Sequence, residues 1–210
     1  YVAQTGKPMI IPTGMADAEE IQEAIEAAKE GGCTELAILH CVSGYPAPAE
    51  DYNLKTLTDM QQKFGLVTGL SDHTIDNTTA ISSVALGASI IEKHVTLDRN
   101  GGGPDDSFSL ERKELKQLCK SVRIAWKTLG KVDYCVKSSE QDSIKFRRSL
   151  YFIKDINIGE TITREHVRSI RPGYGLPPKY LENIIGLQVI RNVKRGESVQ
   201  AKLLKGCNFL

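Results

Sequence analysis

The feature that most restricts this chain is its alternation. "KPMIIPTG" is an apolar run ending at Gly14, and "MADAEEIQEAIEAAKEGG" follows it with apolar residues at helical spacing. "ELAILHC" then precedes "LKTLTDMQQKF", and "LVTGLSD" precedes "NTTAISSVALGA". "SIIEKHVT" leads, across a loop, to "LERKELKQLCKSVRIAWKTLG". Strand and helix repeated four times in this way call for a parallel sheet with helices packed outside it. The strands are nearly continuous in apolar residues, as in a sheet covered on both faces. Four such units are half of a (β/α)8 TIM barrel, and a half barrel leaves bare sheet edges. The chain also opens on a strand with almost nothing before it. The expectation is therefore the C-terminal half of a longer α/β barrel protein. The rival is a complete flavodoxin-like sheet, disfavoured because no phosphate loop follows the first strand.

Local signals support the helices. Asp17 with Glu20 three residues on forms a capping-box pattern, Ile21 and Ile25 share a face, and Gly31 and Gly32 stop the helix. Leu54, Leu57 and Met60 mark the second apolar stripe, and Asn77 is the expected cap of the third helix. In the last, Leu115, Leu118, Val122, Ala125 and Leu129 are in register, with Trp126 expected in the core.

Past residue 130 the pattern changes. Residues 131–145 are polar and read as a linker between a barrel segment (1–130) and a small mostly-β module (146–205). That module consists of short strand-like pieces between Gly/Pro turns. Within it "IKDINIGETIT" and "IRNVKRGESVQ" resemble each other, with Gly159 and Gly196 at matching places, which predicts two equivalent turns.

Composition excludes several classes. The 210 residues carry a net charge of +1 without any Lys/Arg run, which argues against a nucleic-acid surface. Hydrophobic content of 40% and charged content of 25% fit a globular protein. No apolar stretch reaches the roughly 20 residues that cross a bilayer, so no membrane partner is expected. The five cysteines are odd in number, widely spaced and without a CxxC pair, which suits a reduced, cytoplasmic chain.

In a parallel barrel the working residues stand where strands give way to loops. Those positions hold Thr13, then His40, Ser43 and Tyr45, then Ser71 and His73, then Glu92 and His94. Side chains alternate along a strand, so Ser71 and His73 share one face, as do Glu92 and His94, while Asp72 and Lys93 point the other way. A single strand-end histidine is usually a hydrogen-bonded structural residue. Its repetition on the next strand beside a glutamate favours a divalent metal such as Mn²⁺, Zn²⁺ or Fe²⁺. A third protein ligand would have to come from the other half of the barrel. His40 is expected to be structural and His166 to lie on the surface. The glycine-rich loop 98–108 cradles no phosphate, but it leaves the last strand over the barrel mouth, where Asp105 can reach a substrate.

"KPMIIPTGMA", "LHCVSGYPAPAEDYNLKTL", "GLSDHT", "ALGASIIEKHVTLDR" and "GGPDDSFSLE" together resemble the C-terminal half of the barrel of the sialic acid synthases, the nonulosonic acid synthase family. "FRRSLYFIKDINIGETIT" with "IRPGYGLPP" resembles the antifreeze-like SAF domain, of β-clip type, that ends those enzymes. The resemblance runs from about residue 6 to 204, in order and with matching spacing. It implies condensation of phosphoenolpyruvate with an N-acetylated amino sugar, with release of phosphate, and a divalent cofactor, Mn²⁺ or Mg²⁺. It places His73 and His94 at metal positions, Ser71 at a phosphoenolpyruvate contact, and Tyr45, Glu92 and Asp105 at positions that contact or orient sugar and intermediate. Thr13 and Ser43 fall in substrate-binding segments. There Pro12 replaces a usual serine, and "CVSGYP" replaces the "CTNxYP" of many sialic-type members. Arg171 matches an arginine that reaches the partner's barrel, implying a domain-swapped homodimer. The "GGPDDSFSLE" loop is nearest to the pseudaminic branch. The glutamate ligand and lysines of the family's N-terminal half have no counterpart here, so these residues alone are expected to be inactive. The alternatives are another metal-dependent barrel aldolase or lyase, which predicts no SAF-like tail, and a non-catalytic carbohydrate-binding remnant.

Overall fold

All four expected strand–helix units form. The computed structural model describes residues 1–208, and the chain divides into two compact units, Tyr1–Val132 and Asp133–Leu210. In the first, β1 (Met9–Pro12), β2 (Leu36–Cys41), β3 (Val67–Asp72) and β4 (Ile90–Lys93) alternate with α1 (Ala18–Glu30), α2 (Thr56–Phe64), α3 (Thr78–Ala85) and α4 (Arg112–Leu129). All three strand pairs are parallel, and the spatial order is β1-β2-β3-β4. Strictly sequential order belongs to a barrel. A flavodoxin-like sheet reverses its winding part-way, so the rival reading is excluded.

Helix ends follow local chemistry. Asp17 accepts from the N–H groups of Glu19 and Glu20 while Glu20 accepts from Asp17, completing the expected capping box. Asn77 occupies the N-cap of α3 but makes no capping bond. Asp76 takes the job instead, its carboxylate accepting from the Thr78 N–H at 2.6 Å, while the Asn77 amide donates to the Glu114 carbonyl. Two acceptors side by side compete for one orphan N–H, and the charged one makes the stronger bond.

The register sorts the sheet's two faces. Leu39, Gly69 and Ile90 meet on the inner face. A side chain at Gly69 would lie 2.5 Å from the Leu39 side chain and 2.6 Å from the Ile90 carbonyl, so only glycine fits. Ile10 and Val67 stand on this face too, more than half exposed. The outer face is better covered. Ile38 packs with Ile25 and Met60, and Leu70 with Tyr52, Ala80 and Leu118. Trp126, expected in the core, is 69% exposed. It lines an apolar groove with Ile91, Val122 and Leu129 beyond β4, and no described residue covers it.

In the second unit the segment that reads as a linker holds an exposed 3₁₀ turn, Ser138–Phe146. β5 (Ser149–Phe152) pairs antiparallel with β6 (Val167–Ile170). The remaining pairing is carried by single bridges, such as Ile156 with Val193 and Val189 with Leu204. A short helix, α5 (Leu181–Ile184), contributes Ile184 to a core that also holds Leu150, Phe152, Ile162, Val193 and Val199. The two similar sequence segments form equivalent turns. Gly159 and Gly196 have φ of 80° and 92°, which glycine adopts without strain. In each turn the following glutamate accepts from the N–H three residues back, Asn157 to Glu160 and Lys194 to Glu197. Ile156 and Val193 exchange both backbone hydrogen bonds between the turns.

Candidate active site

The C-terminal ends of β3 and β4 bring the two expected histidines together. His73 follows β3 and His94 follows β4, with ring centres 5.2 Å apart. Tyr45, from the loop after β2, lies over His73 at 4.3 Å and reaches His94 at 5.9 Å. Phe108, from the return after β4, closes the group at 5.1 Å from His94 and 5.7 Å from Tyr45. On the inner face just below, the Ser71 hydroxyl donates to Glu92 at 2.8 Å. Ser71, His73, Glu92 and His94 line one cleft of about 250 Å³. The groove beside Trp126 is larger, at about 670 Å³, but it is lined mainly by apolar side chains and holds neither histidine.

Each imidazole has a protein oxygen beside its Nδ1, hydrogen-bonded in His73 and more distant in His94. That of His73 lies 2.8 Å from the Val42 carbonyl. A carbonyl only accepts, so Nδ1 carries the proton and the lone pair is left on Nε2. His94 Nδ1 faces Asp105 Oδ2 at 3.5 Å. Such partners are what orient metal-binding histidines. An ion bound at about 2.1 Å to one nitrogen of each ring would stand about 3 Å from each ring centre, a span compatible with the 5.2 Å observed. The pair could therefore hold two positions of a divalent ion. Among the described residues no cluster of three or more His, Cys, Asp or Glu side chains is placed to complete the shell.

The outward-facing residues are engaged with each other. The Lys93 ammonium donates to Asp72 at 2.9 Å, to the Thr74 carbonyl at 2.5 Å and to the Thr74 hydroxyl at 3.3 Å. Asp72 also accepts from the Thr74 N–H and hydroxyl. The side chains are 3% and 0% exposed, so the pair is buried and fully hydrogen-bonded. It ties β3 to β4 in the register that turns Ser71 and Glu92 inward together.

The other expected residues are placed less centrally. Thr13 is buried one residue past β1, its N–H donating to the Leu39 carbonyl. Ser43 is exposed, but β1 ends against it. A side chain at Gly14 would lie 2.2 Å from the Ser43 hydroxyl. His40 has the structural role expected of it, its Nε2 donating to the Tyr52 carbonyl at 2.5 Å. His166 is half-buried rather than a surface residue, because its Nδ1 accepts from the Thr163 N–H in a turn. Arg171 stands exposed in the second unit at a cis peptide bond with Pro172.

Sequence reasoning missed three participants: Tyr52, the Val42 carbonyl and Phe108. Tyr52 is fully buried, and its hydroxyl bridges the backbone of Ser71 and His73. Burial pushes its phenol far above the ordinary range, so it stays protonated. It sits in "PAPAEDYNL", a polar loop without periodicity, where nothing local marks it as interior.

The chain as a whole is similar to known proteins. The profile of the NeuB family covers residues 1–134, and that of the SAF domain residues 147–205. The chain is 37% identical to pseudaminic acid synthase of Campylobacter jejuni, over 95% of this chain and 58% of that protein. It is 38% identical to N,N'-diacetyllegionaminic acid synthase of the same species, over 95% of this chain and 60% of that one. The solved N-acetylneuraminic acid synthetase of Leptospira borgpetersenii, in complex with citrate, superposes with a TM-score of 0.62 at 36% identity, covering 70% of this chain and 51% of that one. This chain thus spans less than two thirds of the length of the relatives that it matches.

Proposed function

The chain belongs to the NeuB family, and on that premise we propose that the whole protein condenses phosphoenolpyruvate with an open-chain N-acetylated amino sugar. Phosphate leaves and a nine-carbon nonulosonic acid forms. The observation that carries this reading is one cleft in which His73 and His94 meet the Ser71–Glu92 pair. His73 and His94 would hold a divalent ion, Mn²⁺ or Mg²⁺, with further ligands from outside this chain. When bound, such an ion supplies Lewis-acid polarisation to an aldehyde oxygen. Ser71 and Glu92 orient phosphoenolpyruvate and the intermediate from the inner face. Tyr45 and Phe108 shield the imidazoles from bulk water, and Asp105 steadies His94 while facing the sugar. Thr13, and Ser43 which lies against Gly14, contribute further substrate contacts.

Arg171 is proposed to enter the partner's cleft in a domain-swapped homodimer and to meet the sugar's acyl group, where a planar fork of donors is suited to a carbonyl oxygen. We propose a cytoplasmic reaction, because widely spaced cysteines without a CxxC pair suit a reduced chain. Among the described residues no helix is long and apolar enough to cross a membrane. Identities of 37% and 38% do not separate the pseudaminic from the legionaminic branch. The "GGPDDSFSLE" loop favours the pseudaminic one.

The test is phosphate release by the whole protein given phosphoenolpyruvate, Mn²⁺ and a panel of N-acetylated amino sugars, with the keto-acid product identified by mass. His73→Ala and His94→Ala are expected to abolish activity. Arg171→Ala is expected to raise the sugar KM about tenfold or more with the phosphoenolpyruvate KM little changed, the size of one lost hydrogen bond to a charged group. Full activity of either histidine variant at limiting Mn²⁺ would sink the assignment.

A further inference from the structure

One loop holds every polar group of His73 except Nε2. The residues between β2 and α2 supply the Val42 carbonyl to its Nδ1 at 2.8 Å, and the Ala47 N–H to its carbonyl at 3.1 Å. The same loop supplies the Tyr52 hydroxyl, which accepts from the His73 N–H at 2.6 Å. That hydroxyl also donates to the Ser71 carbonyl at 3.2 Å. A β-strand ordinarily satisfies two such groups with the backbone of the next strand. β2 has ended at Cys41, opposite Ser71, so a side chain takes over where the ladder stops. Tyr52 itself is fixed. Its ring packs with Leu70, Ala80 and Leu118, and its carbonyl accepts from His40.

We propose that Tyr52 is a positioning residue, whose hydroxyl sets the backbone of Ser71 and His73 so that Nε2 of His73 faces His94. The inference rests on the reading of His73 and His94 as metal ligands. Tyr52 touches neither imidazole and no reacting atom. It acts through two backbone groups, and its phenol stays protonated, so it can donate and accept at once. Without the hydroxyl, the His73 N–H and the Ser71 carbonyl would be buried without a partner. The end of β3 would then relax toward other acceptors and turn both side chains. The same loop carries Ser43 and Tyr45, so the substrate side of the cleft and the His73 ligand are positioned by one piece of chain.

The test is Tyr52→Phe in the full-length protein, which keeps the ring and removes only the hydroxyl. Mn²⁺ alone is titrated and the free ion read by electron paramagnetic resonance, while the protonation pattern of the His73 ring is read by ¹H–¹⁵N NMR. The expected result is a dissociation constant weakened about tenfold, as for other residues that support metal ligands. The Nδ1–H form of His73 should also lose its dominance. Recovery of most of the affinity with p-aminophenylalanine at position 52, which restores a para donor, is expected. An unchanged dissociation constant and an unchanged ring pattern overturn the proposal, even if the variant melts earlier. Should Tyr52→Phe fail to fold, 3,5-difluorotyrosine at this position is isosteric and weakens the oxygen as an acceptor. It should loosen Mn²⁺ several-fold, and an unchanged value there is equally fatal. His94→Ala run in parallel separates the two ideas. If it binds Mn²⁺ like the parent protein, the metal reading falls. If it loses Mn²⁺ while Tyr52→Phe keeps it, only the role of Tyr52 falls.

Discussion

The two units of this chain bury their apolar residues in different ways. Residues 133–208 gather theirs into one contiguous core, from Leu150 through Val193 to Leu204, with Phe152, Ile184 and Val199 fully buried. Residues 1–132 divide theirs among three small clusters, all beneath helices on the outer side of the sheet or at its first edge. The inner face of that sheet leaves Ile10 and Val67 more than half exposed, and α4 leaves Trp126 and Leu129 uncovered. The second unit also exposes single apolar residues, such as Ile158 and Tyr174, but around a continuous core, whereas the first exposes them on its sheet's inner face and along one helix. The candidate site lies in the unit with the divided core. Its outward side is finished by the Lys93–Asp72 pair and its inward side by few side chains besides Ser71 and Glu92.

The largest expected effect tests that contrast directly. Expressed apart, residues 133–210 should melt cooperatively in a calorimeter, because a single continuous core favours all-or-none unfolding. Residues 1–132 should aggregate or melt without a sharp transition, because open parallel edges and exposed apolar faces recruit other chains. A sharp monomeric melt for residues 1–132 would erase the distinction. A second comparison sets one ion pair in each unit side by side. Lys93→Met leaves the buried Asp72 charge without its cation, with only the Thr74 N–H and hydroxyl still donating to it, and should destabilise the first unit by about 3–5 kcal/mol, with much of that recovered in the double variant Lys93→Met/Asp72→Leu. Glu182→Gln breaks the Arg164–Glu182 pair, whose side chains are both about two-thirds exposed, and should move stability by less than about 1 kcal/mol. Equal effects in denaturant titrations would mean that the buried pair has no special role.

The smallest effect is the response to pH. In the second unit the hydrogen bond from Lys194, then the Arg195 N–H, holds Asp155 below its ordinary value of 3.8. The bond from Arg191, then the Lys194 N–H, holds Glu197 below 4.5. A carboxyl whose folded value is depressed adds stability above its unfolded value and loses it as pH falls through the folded one. Lys194 is shifted upward by Asp155, so its share is complete below 10.5 and fades as pH rises through the higher folded value. All these groups lie at the surface. The melting temperature of the isolated second unit should therefore fall by only a few degrees between about pH 6 and pH 3, and less in high salt. An unchanged melting temperature over that interval would show that these bonds do not distinguish folded from unfolded chain.

How much of this is legible in the sequence depends on the range of the forces involved. Alternation along β3 and β4 placed Ser71 with His73 and Glu92 with His94, because pleating is local. The two G–E turns and the capping box at Asp17 are local too. What escaped needs knowledge of neighbours. Alternation showed Asp72 and Lys93 facing outward, but their bond follows from a register in which Asp72 stands opposite Lys93, and register is a property of two strands. Helical spacing put Trp126 near an apolar stripe without saying whether anything covers that stripe. Tyr52 escaped because its partners are backbone groups of Ser71 and His73, which no side-chain pattern records.

The strictly sequential order of the sheet has a consequence for how the chain is made. On the ribosome β2, β3 and β4 would each find a neighbour in the strand emitted just before it, so none of the three pairings within this sheet skips a strand. Each parallel pairing still has to close a whole strand–helix unit, Met9 with Leu36 or Gly69 with Ile90, so it forms more slowly than a hairpin would. The cleft, however, is made last. Ser71 must wait for Glu92, 21 residues further on, and Lys93 reaches Asp72 across the same interval. Until β4 emerges, His73 is already gripped by the loop behind it but has no companion, and a newly made chain holds a correctly aimed imidazole before it holds a site.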